Sequence, residues 1–253
     1  LPNHVYLSQD QRSQWSGLSA QHHQVFGPTV LDAAMELQSQ RVLVTPSTEE
    51  GQATLLALHG RLVLHPVTPF SVIPSARFDR YLDQSRLGYG VRVSISTGDA
   101  AEFFGGYSRS FRFPTFEERF GLDTLLSSAL TAESIERHHL FEAGIRWSLD
   151  SALKVGVTAF HRTVFGPITA LLDAGGARPY RFIQGAKEIL RGFDGFLSVR
   201  GGAFFLEGRV GYVERHNDDD DEMTIPRWTA SSGVYYWGNL FEDHLNLRVG
   251  VRG

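Results

Sequence analysis

The strongest signal along the chain is a two-residue period. Leu87, Tyr89, Val91, Val93 and Ile95 alternate with Arg86, Gly88, Gly90, Arg92, Ser94 and Ser96. An extended strand turns successive side chains to opposite faces, so this segment has one apolar face and one polar or small face. The pattern returns in Leu153, Val155, Val157 and Ala159 against Lys154, Gly156 and Thr158. It returns in Phe141, Ala143, Ile145, Trp147 and Leu149 against Leu140, Glu142, Gly144, Arg146 and Ser148. Leu245, Leu247, Val249 and Val251 against Asn246, Arg248, Gly250 and Arg252 repeat it near the end. A mixed case sets Phe204, Leu206, Val210 and Tyr212 against Ala203, Phe205, Glu207 and Arg209, with Phe205 on the polar side.

This period predicts about twelve strands, near 13–24, 29–43, 53–65, 70–80, 86–96, 101–110, 138–149, 152–164, 187–200, 202–214, 226–237 and 242–252. Most exceed the usual strand of about 5–6 residues. They suit the roughly 9–11 residues that a tilted strand needs to cross a bilayer. The connections alternate between short ones (25–28, 66–69, 97–100, 150–151, 201, 238–241) and longer ones (44–52, 81–85, 111–137, 165–186, 214–225). In an up-and-down meander, alternate connections fall at one end. One end therefore carries tight turns and the other carries loops, as in barrels with short periplasmic turns and longer extracellular loops. A soluble sandwich or propeller has less reason to sort its loops by end. No helical segment and no repeat of fixed period is expected.

Composition adds exclusions. No run approaches the roughly 18 apolar residues of a spanning helix. A spanning barrel hides its apolar residues at every second position, so it remains open. A net charge of −4 argues against a nucleic-acid partner. With no cysteine there is no disulfide framework and no thiolate metal site. The chain starts at Leu1 with no signal-type segment after it. The expectation is a removed signal or an internal piece of a longer chain.

The stretch Gly106-Tyr107-Ser108-Arg109-Ser110-Phe111-Arg112-Phe113-Pro114-Thr115-Phe116-Glu117-Glu118-Arg119-Phe120-Gly121 resembles the TonB-dependent outer-membrane receptors. That family has an aromatic strand ending in Phe-Arg-x-Pro-Thr, an acidic residue and an aromatic-Gly pair. Its next landmark, Leu-x-Pro-Glu before a strand with Glu-x-Gly, corresponds to Leu130-Thr131-Ala132-Glu133 and Glu142-Ala143-Gly144, with Ala132 in place of proline. Gly192-Phe193-Asp194 resembles the family's Gly-Val-Glu strand, and Ala76-Arg77-Phe78-Asp79 its strand ending in Arg-Tyr-Asp. Ile225-Pro226 before a strand also fits. These landmarks fall in family order over most of the chain.

The resemblance implies an all-β, antiparallel up-and-down transmembrane barrel in the outer membrane of a Gram-negative bacterium. Such transporters have about 22 strands and a plugged lumen. The twelve expected here make residues 1–253 a single partial barrel domain, a fragment cut at both ends, with the plug domain absent. The final aromatic residue typical of such barrels is also missing at Gly253. The resemblance further implies a receptor importing a scarce nutrient such as a ferric siderophore. Its partners would be the inner-membrane TonB energy-coupling protein, reached through the missing plug, and outer-membrane lipid and lipopolysaccharide. No cofactor is implied. A passive porin-like channel and a soluble β-rich binding protein remain the alternatives.

On this reading Leu87, Tyr89, Val91, Val93, Leu153, Val155, Val157, Leu245, Leu247 and Val249 face lipid. Arg86, Arg92, Glu142, Arg146, Lys154, Glu207, Arg209 and Arg248 face the lumen. Trp147, Trp228, Tyr235, Tyr236 and Trp237 are expected in aromatic girdles, whose rings prefer the headgroup level; ordinary core aromatics of a soluble β protein are the other reading. Ligand contacts belong to the loops and lumen wall, with Arg112, Glu118, Arg119, Arg178 and Tyr180 as candidates. For Arg112 and Glu118 the competing role is an ion pair that fixes the loop base.

Metal and catalytic chemistry find little purchase. Asp218-Asp219-Asp220-Asp221-Glu222 lacks the glycine and spaced ligands of an EF-hand loop, and reads as a solvated loop tip. A divalent ion bridging this run to lipid phosphates is the functional version. His22-His23 and His138-His139 are adjacent pairs whose side chains point to opposite faces of a strand, so neither pair chelates one ion. The resemblance implies that a haem receptor would carry a histidine in the loop after Phe-Arg-x-Pro; none lies between Thr115 and Arg137, which counts against haem. There is no G-x-S-x-G elbow, H-E-x-x-H or P-loop, so no enzyme is expected.

Overall fold

The computed structural model describes residues 10–45, 49–98, 100–115, 118–119, 126–128, 130–131, 133–149, 152–172, 180–217, 226–240 and 245–253. The strands are β1 Asp10–Phe26, β2 Thr29–Thr45, β3 Glu49–Val63, β4 Phe70–Tyr81, β5 Gln84–Thr97 and β6 Ala101–Arg112. They continue with β7 Leu126–Ser128, β8 Glu136–Leu149, β9 Leu153–Phe165, β10 Ile168–Leu172 and β11 Tyr180–Gln184. The last are β12 Lys187–Gly201, β13 Phe204–Asn217, β14 Trp228–Leu240 and β15 Leu245–Arg252. Twelve of them form one sheet in the order β1-β2-β3-β4-β5-β6-β8-β9-β12-β13-β14-β15, all neighbours antiparallel. These are the twelve expected strands, in chain order. β1 and β15 are the two edges of the sheet.

Exposure assigns the faces. In β5 the apolar residues Leu87, Tyr89, Val91, Val93 and Ile95 are 37% to 57% exposed. Their polar or small neighbours Gly88 and Ser94 are buried, and Arg92 is half-buried. A water-soluble sheet does the reverse. A barrel produces this pattern, because side chains on the concave face crowd one another and those on the convex face point into lipid. Paired residues share a face, so the register carries the assignment across the sheet. Ile95 pairs with Phe103, Phe103 with Ile145, and Ile145 with Val157. Arg92, Glu142, Arg146, Lys154, Glu207 and Arg209 fall on the opposite, inner face. The side chains of Leu245, Leu247, Arg248 and Val249 lie outside the described residues.

Outer-face aromatics gather at two levels. Near the loop end, Tyr107 packs at a tilt on Phe141 at 4.7 Å, and Tyr212 on Trp228 at 4.8 Å. Near the turn end, Phe204 meets Tyr236 at 5.4 Å, and Trp147 is exposed. Tyr235 departs from the girdle expected for it. Alternation sends it inward, where its hydroxyl donates to Glu207 Oε1 at 2.8 Å and its ring lies 5.8 Å from Phe205. The side chain of Trp237 lies outside the described residues.

The loop end also differs from expectation. Only two residues, Leu82 and Asp83, join β4 to β5, so the connection expected at 81–85 is a tight turn. The two long excursions are not plain loops. β10 pairs antiparallel with β11, and β11 pairs in parallel with β7, giving a three-stranded sheet that joins the first excursion to the second.

Candidate functional site

The inner face at the loop end converges on Arg112, the last residue of β6. Its pairing partner is Glu136, the first residue of β8. Arg112 Nε and Nη2 donate to the two oxygens of Glu136 at 2.6 and 2.7 Å. Its Nη1 donates to both oxygens of Glu118, at 3.0 and 2.7 Å. Two-pronged contacts of this kind are the strong form of a charged hydrogen bond. Glu118 is held in turn by a reciprocal cap. It accepts from the Thr115 amide at 2.7 Å, and Thr115 Oγ1 accepts from the Glu118 amide at 3.2 Å. This Thr-x-x-Glu arrangement starts the helical turn that presents Glu118 and Arg119. Pro114 is fully buried beneath it.

Glu136 is the junction between the excursions. Its Oε1 also accepts from the Ile168 amide of β10 at 2.6 Å, and its Oε2 lies 3.0 Å from His138 Nε2. Arg162 donates to His138 Nδ1 at 2.6 Å. That leaves the imidazole proton on Nε2, facing the carboxylate. Gln184 Nε2 completes the tie, donating to the carbonyls of Ile135 and Gly166 at 3.2 Å each. Arg112 and Glu136 sit at strand ends, beyond the apolar band marked by Tyr107 and Phe141. Burial pushes Glu136 up, but the hydrogen bonds from Arg112, His138 and the Ile168 amide prevail and hold it down at about 2.

Beside this junction is a cavity of about 520 Å³ lined by Arg77, Asp79, Tyr81, Arg112, Phe113 and Pro114, among others. Arg77 Nε donates to both oxygens of Asp79 at 2.8 and 3.0 Å. Tyr81 packs on Phe113 at 5.3 Å, and burial raises its phenol while Arg119 beside it pulls it part of the way back. Arg77, Arg112 and Arg119 stand against Asp79, Glu118 and Glu136, so the charges balance. The cluster shapes the loop end of the inner face and offers polar contacts. It does not present a bare cationic hook.

Of the candidates, Arg112, Glu118 and Arg119 come together here. Tyr180 is exposed at the start of β11, in the neighbouring small sheet, and Arg178 lies outside the described residues. Glu136, the centre of the junction, was not among them. Deeper along the inner wall, Arg92 reaches Glu102 at 3.6 Å and Glu142 at 3.7 Å, and its guanidinium lies 3.9 Å over the Phe104 ring. Arg146 reaches Glu102 at 3.3 Å and lies 4.9 Å from the same ring. A further cavity of about 750 Å³ on this wall is lined by Arg146, Asp194, Glu207 and Arg209, among others.

Adjacent histidines do point apart. His23 faces inward to Asp32 at 2.7 Å, whereas His22 lies on the outer face beside Ala33. Among the described residues no group of three or more His, Asp or Glu side chains is arranged to hold a metal ion. The acidic run 218–222 lies outside the described residues.

The decisive comparison spans almost the whole chain: residues 4–252 match the family described as TonB dependent receptor-like, beta-barrel. The chain belongs to this family. This is a family of receptors and transporters, not of enzymes, and membership places the chain in the outer membrane of a Gram-negative bacterium. No curated protein sequence matches it. Solved structures share the fold. The siderophore receptor PirA from Pseudomonas aeruginosa superposes with a TM-score of 0.73 at 17% identity, over 98% of this chain and 49% of that one. The copper transporter OprC gives 0.70 at 14% identity, over 90% of this chain and 41% of that one. The FrpB iron transporter from Neisseria meningitidis gives 0.67 at 13% identity, over 96% of this chain and 42% of that one. The chain thus spans about half the length, or less, of these structures.

Proposed function

We propose that the chain forms twelve strands of the barrel of a TonB-dependent receptor that imports a scarce nutrient, a ferric siderophore being the leading candidate. The observation that carries this reading is the sheet itself: apolar outside, charged inside, with a built mouth at the loop end. The remaining strands would pair with β1 and β15, since backbone groups left open in a bilayer are strongly disfavoured. A plug outside these residues would fill the lumen and meet the TonB energy-coupling protein, and lipopolysaccharide would surround the loop end. In this reading Arg112, Glu118 and Arg119 hold the mouth in shape. Tyr180, with Arg178 in the same excursion, touches the cargo.

The test is uptake by the source bacterium under iron limitation, with labelled ferric siderophores and labelled copper offered separately. Gene-dependent siderophore uptake that stops when the proton-motive force is collapsed supports the proposal. Copper uptake instead would replace the cargo, in keeping with the name of OprC. Gene-dependent flux that ignores the proton-motive force would favour a passive channel.

A further inference from the structure

His138 of β8 is buried beside Glu136 and meets a charged group on each of its nitrogens. Its Nε2 faces Glu136 Oε2, and its Nδ1 accepts from Arg162 of β9, whose Nη2 lies at 2.6 Å and Nε at 3.2 Å. Other elements close the site. Ser110 of β6 and Val164 of β9 are its register partners. Arg112 of β6 shares Glu136 with it and is held on its other side by Glu118. The Ile168 amide of β10 occupies Glu136 Oε1. Beyond Val164 stands Glu188 of β12, which is paired with Arg215 of β13.

Arg162 is held differently from its neighbours. Arg61, Arg77, Arg92, Arg112, Arg146 and Arg215 each face a carboxylate. Among the described residues the acceptor of Arg162 is the lone pair of a neutral imidazole. Its register partners are Leu140 on one side and Leu190 on the other. A protonated imidazole has no lone pair left and donates from both nitrogens. Its Nδ1–H would point at the guanidinium N–H groups, with like charges at hydrogen-bond distance. The incoming proton has a partner ready, because Glu136 is held down at about 2 and stays ionised. Uptake of one proton thus replaces the Arg162–His138 contact by a His138–Glu136 ion pair. With leucines on both sides, the released guanidinium turns to the open space before the inner face.

We propose that His138 is an acid-operated latch: neutral, it holds Arg162 against the wall, and protonated, it lets Arg162 swing out across the inner face. Histidine is the side chain whose charge changes between about pH 5 and 8. The switch adds one positive charge to a charge-balanced loop end and frees a second. It leaves the clamp of Arg112, Glu136 and the Ile168 amide shut, so the two excursions stay docked. The use that follows, firmer capture of anionic cargo in mildly acid surroundings, rests on the import reading. The latch itself does not, and its test involves no cargo, so a failed latch and a failed uptake experiment are told apart.

The test is a double-mutant cycle on the whole protein carrying this chain, purified in detergent. H138F, R162M and the double variant are melted beside the parent at about pH 7.5 and about pH 5. At the higher pH the double variant should lose clearly less in melting temperature than the two single losses added together, because both singles break the same contact. At the lower pH that saving should vanish. A saving of equal size at both pH values overturns the latch, and so does no saving at either. Should a variant fail to migrate as a folded barrel, structures of the parent protein at the two pH values decide. Arg162 on His138 Nδ1 at the higher pH and turned away at the lower is the expected pair. Arg162 on His138 at both overturns the proposal.

Discussion

At the turn end, β1 and β2 are joined by Gly27 and Pro28, and β12 and β13 by Gly202 and Ala203, with each glycine at φ 57°. At the loop end, β6 and β8 are joined by a long excursion whose base is clamped by Arg112, Glu118, Glu136 and, from the next excursion, the Ile168 amide. The first kind of closure is local. A glycine in the left-handed region gives the hairpin the twist its strands need. The second kind is non-local, because the groups that meet at Arg112 are 6 and 24 residues away in the chain. The turn end should therefore fail one hairpin at a time, and the loop end as a unit.

The largest effect is expected from Glu136. Glu136→Ala leaves Arg112, His138 and the Ile168 amide without their shared acceptor, and breaking such a buried set costs about 3 kcal/mol. Thermal melts in detergent should show this loss. Protease cleavage within both 113–135 and 166–186 should appear together, which a local hairpin defect would not produce. Cleavage confined to the first excursion would sink the idea that Glu136 joins the two. The pH dependence follows from the same residue. A carboxylate whose folded pKa is depressed contributes stability above its ordinary range and loses it as pH falls toward the folded value, here about 2. Protease protection of the loop base should persist at mildly acid pH and vanish as pH approaches 2. Glu136→Gln should remove that dependence.

The inner wall is next in size. Phe104 lies opposite Gly144, and a Cβ there would run into the carbonyl oxygen of Val157 on β9 and, next, the Phe104 ring. Gly144→Ala should cost about 1–3 kcal/mol, because the β9 backbone at Val157 must shift and the ring must leave a packed position. Arg92 and Arg146 both lie against that ring, so the variant should also loosen their contacts with Glu102. A Gly144→Ala melt equal to the parent would show that the ring and the β9 backbone at Val157 both yield freely.

These regions were not equally legible beforehand. The twelve long strands declare themselves because lipid enforces strict alternation. The same rule places Tyr236 outward with Val234 and Tyr235 inward, although a simple grouping of aromatics put both in a girdle. β7, β10 and β11 are three to five residues long, and their segments show no period to read. Glu136 escaped for a different reason. A tight hairpin fixes register by counting, but the excursion between Arg112 and Glu136 does not, so their pairing depends on the folded sheet. The Thr115–Glu118 cap, by contrast, stands in the sequence as Thr-x-x-Glu and was there to be read.

The smallest effect isolates the local kind of closure. Gly27 has nothing within 4 Å of the position a Cβ would take, yet its φ is 57°. Gly60, within β3, is equally open but has no such backbone constraint. Gly27→Ala should therefore cost about 1 kcal/mol through backbone conformation alone. Gly60→Ala should be neutral or slightly stabilising, since it only reduces the freedom of the unfolded chain. The two variants differ by one methyl group each and by no contact, so paired melts measure the turn by itself. Equal melting temperatures would mean that pairing of β1 with β2 holds the hairpin without help from its glycine.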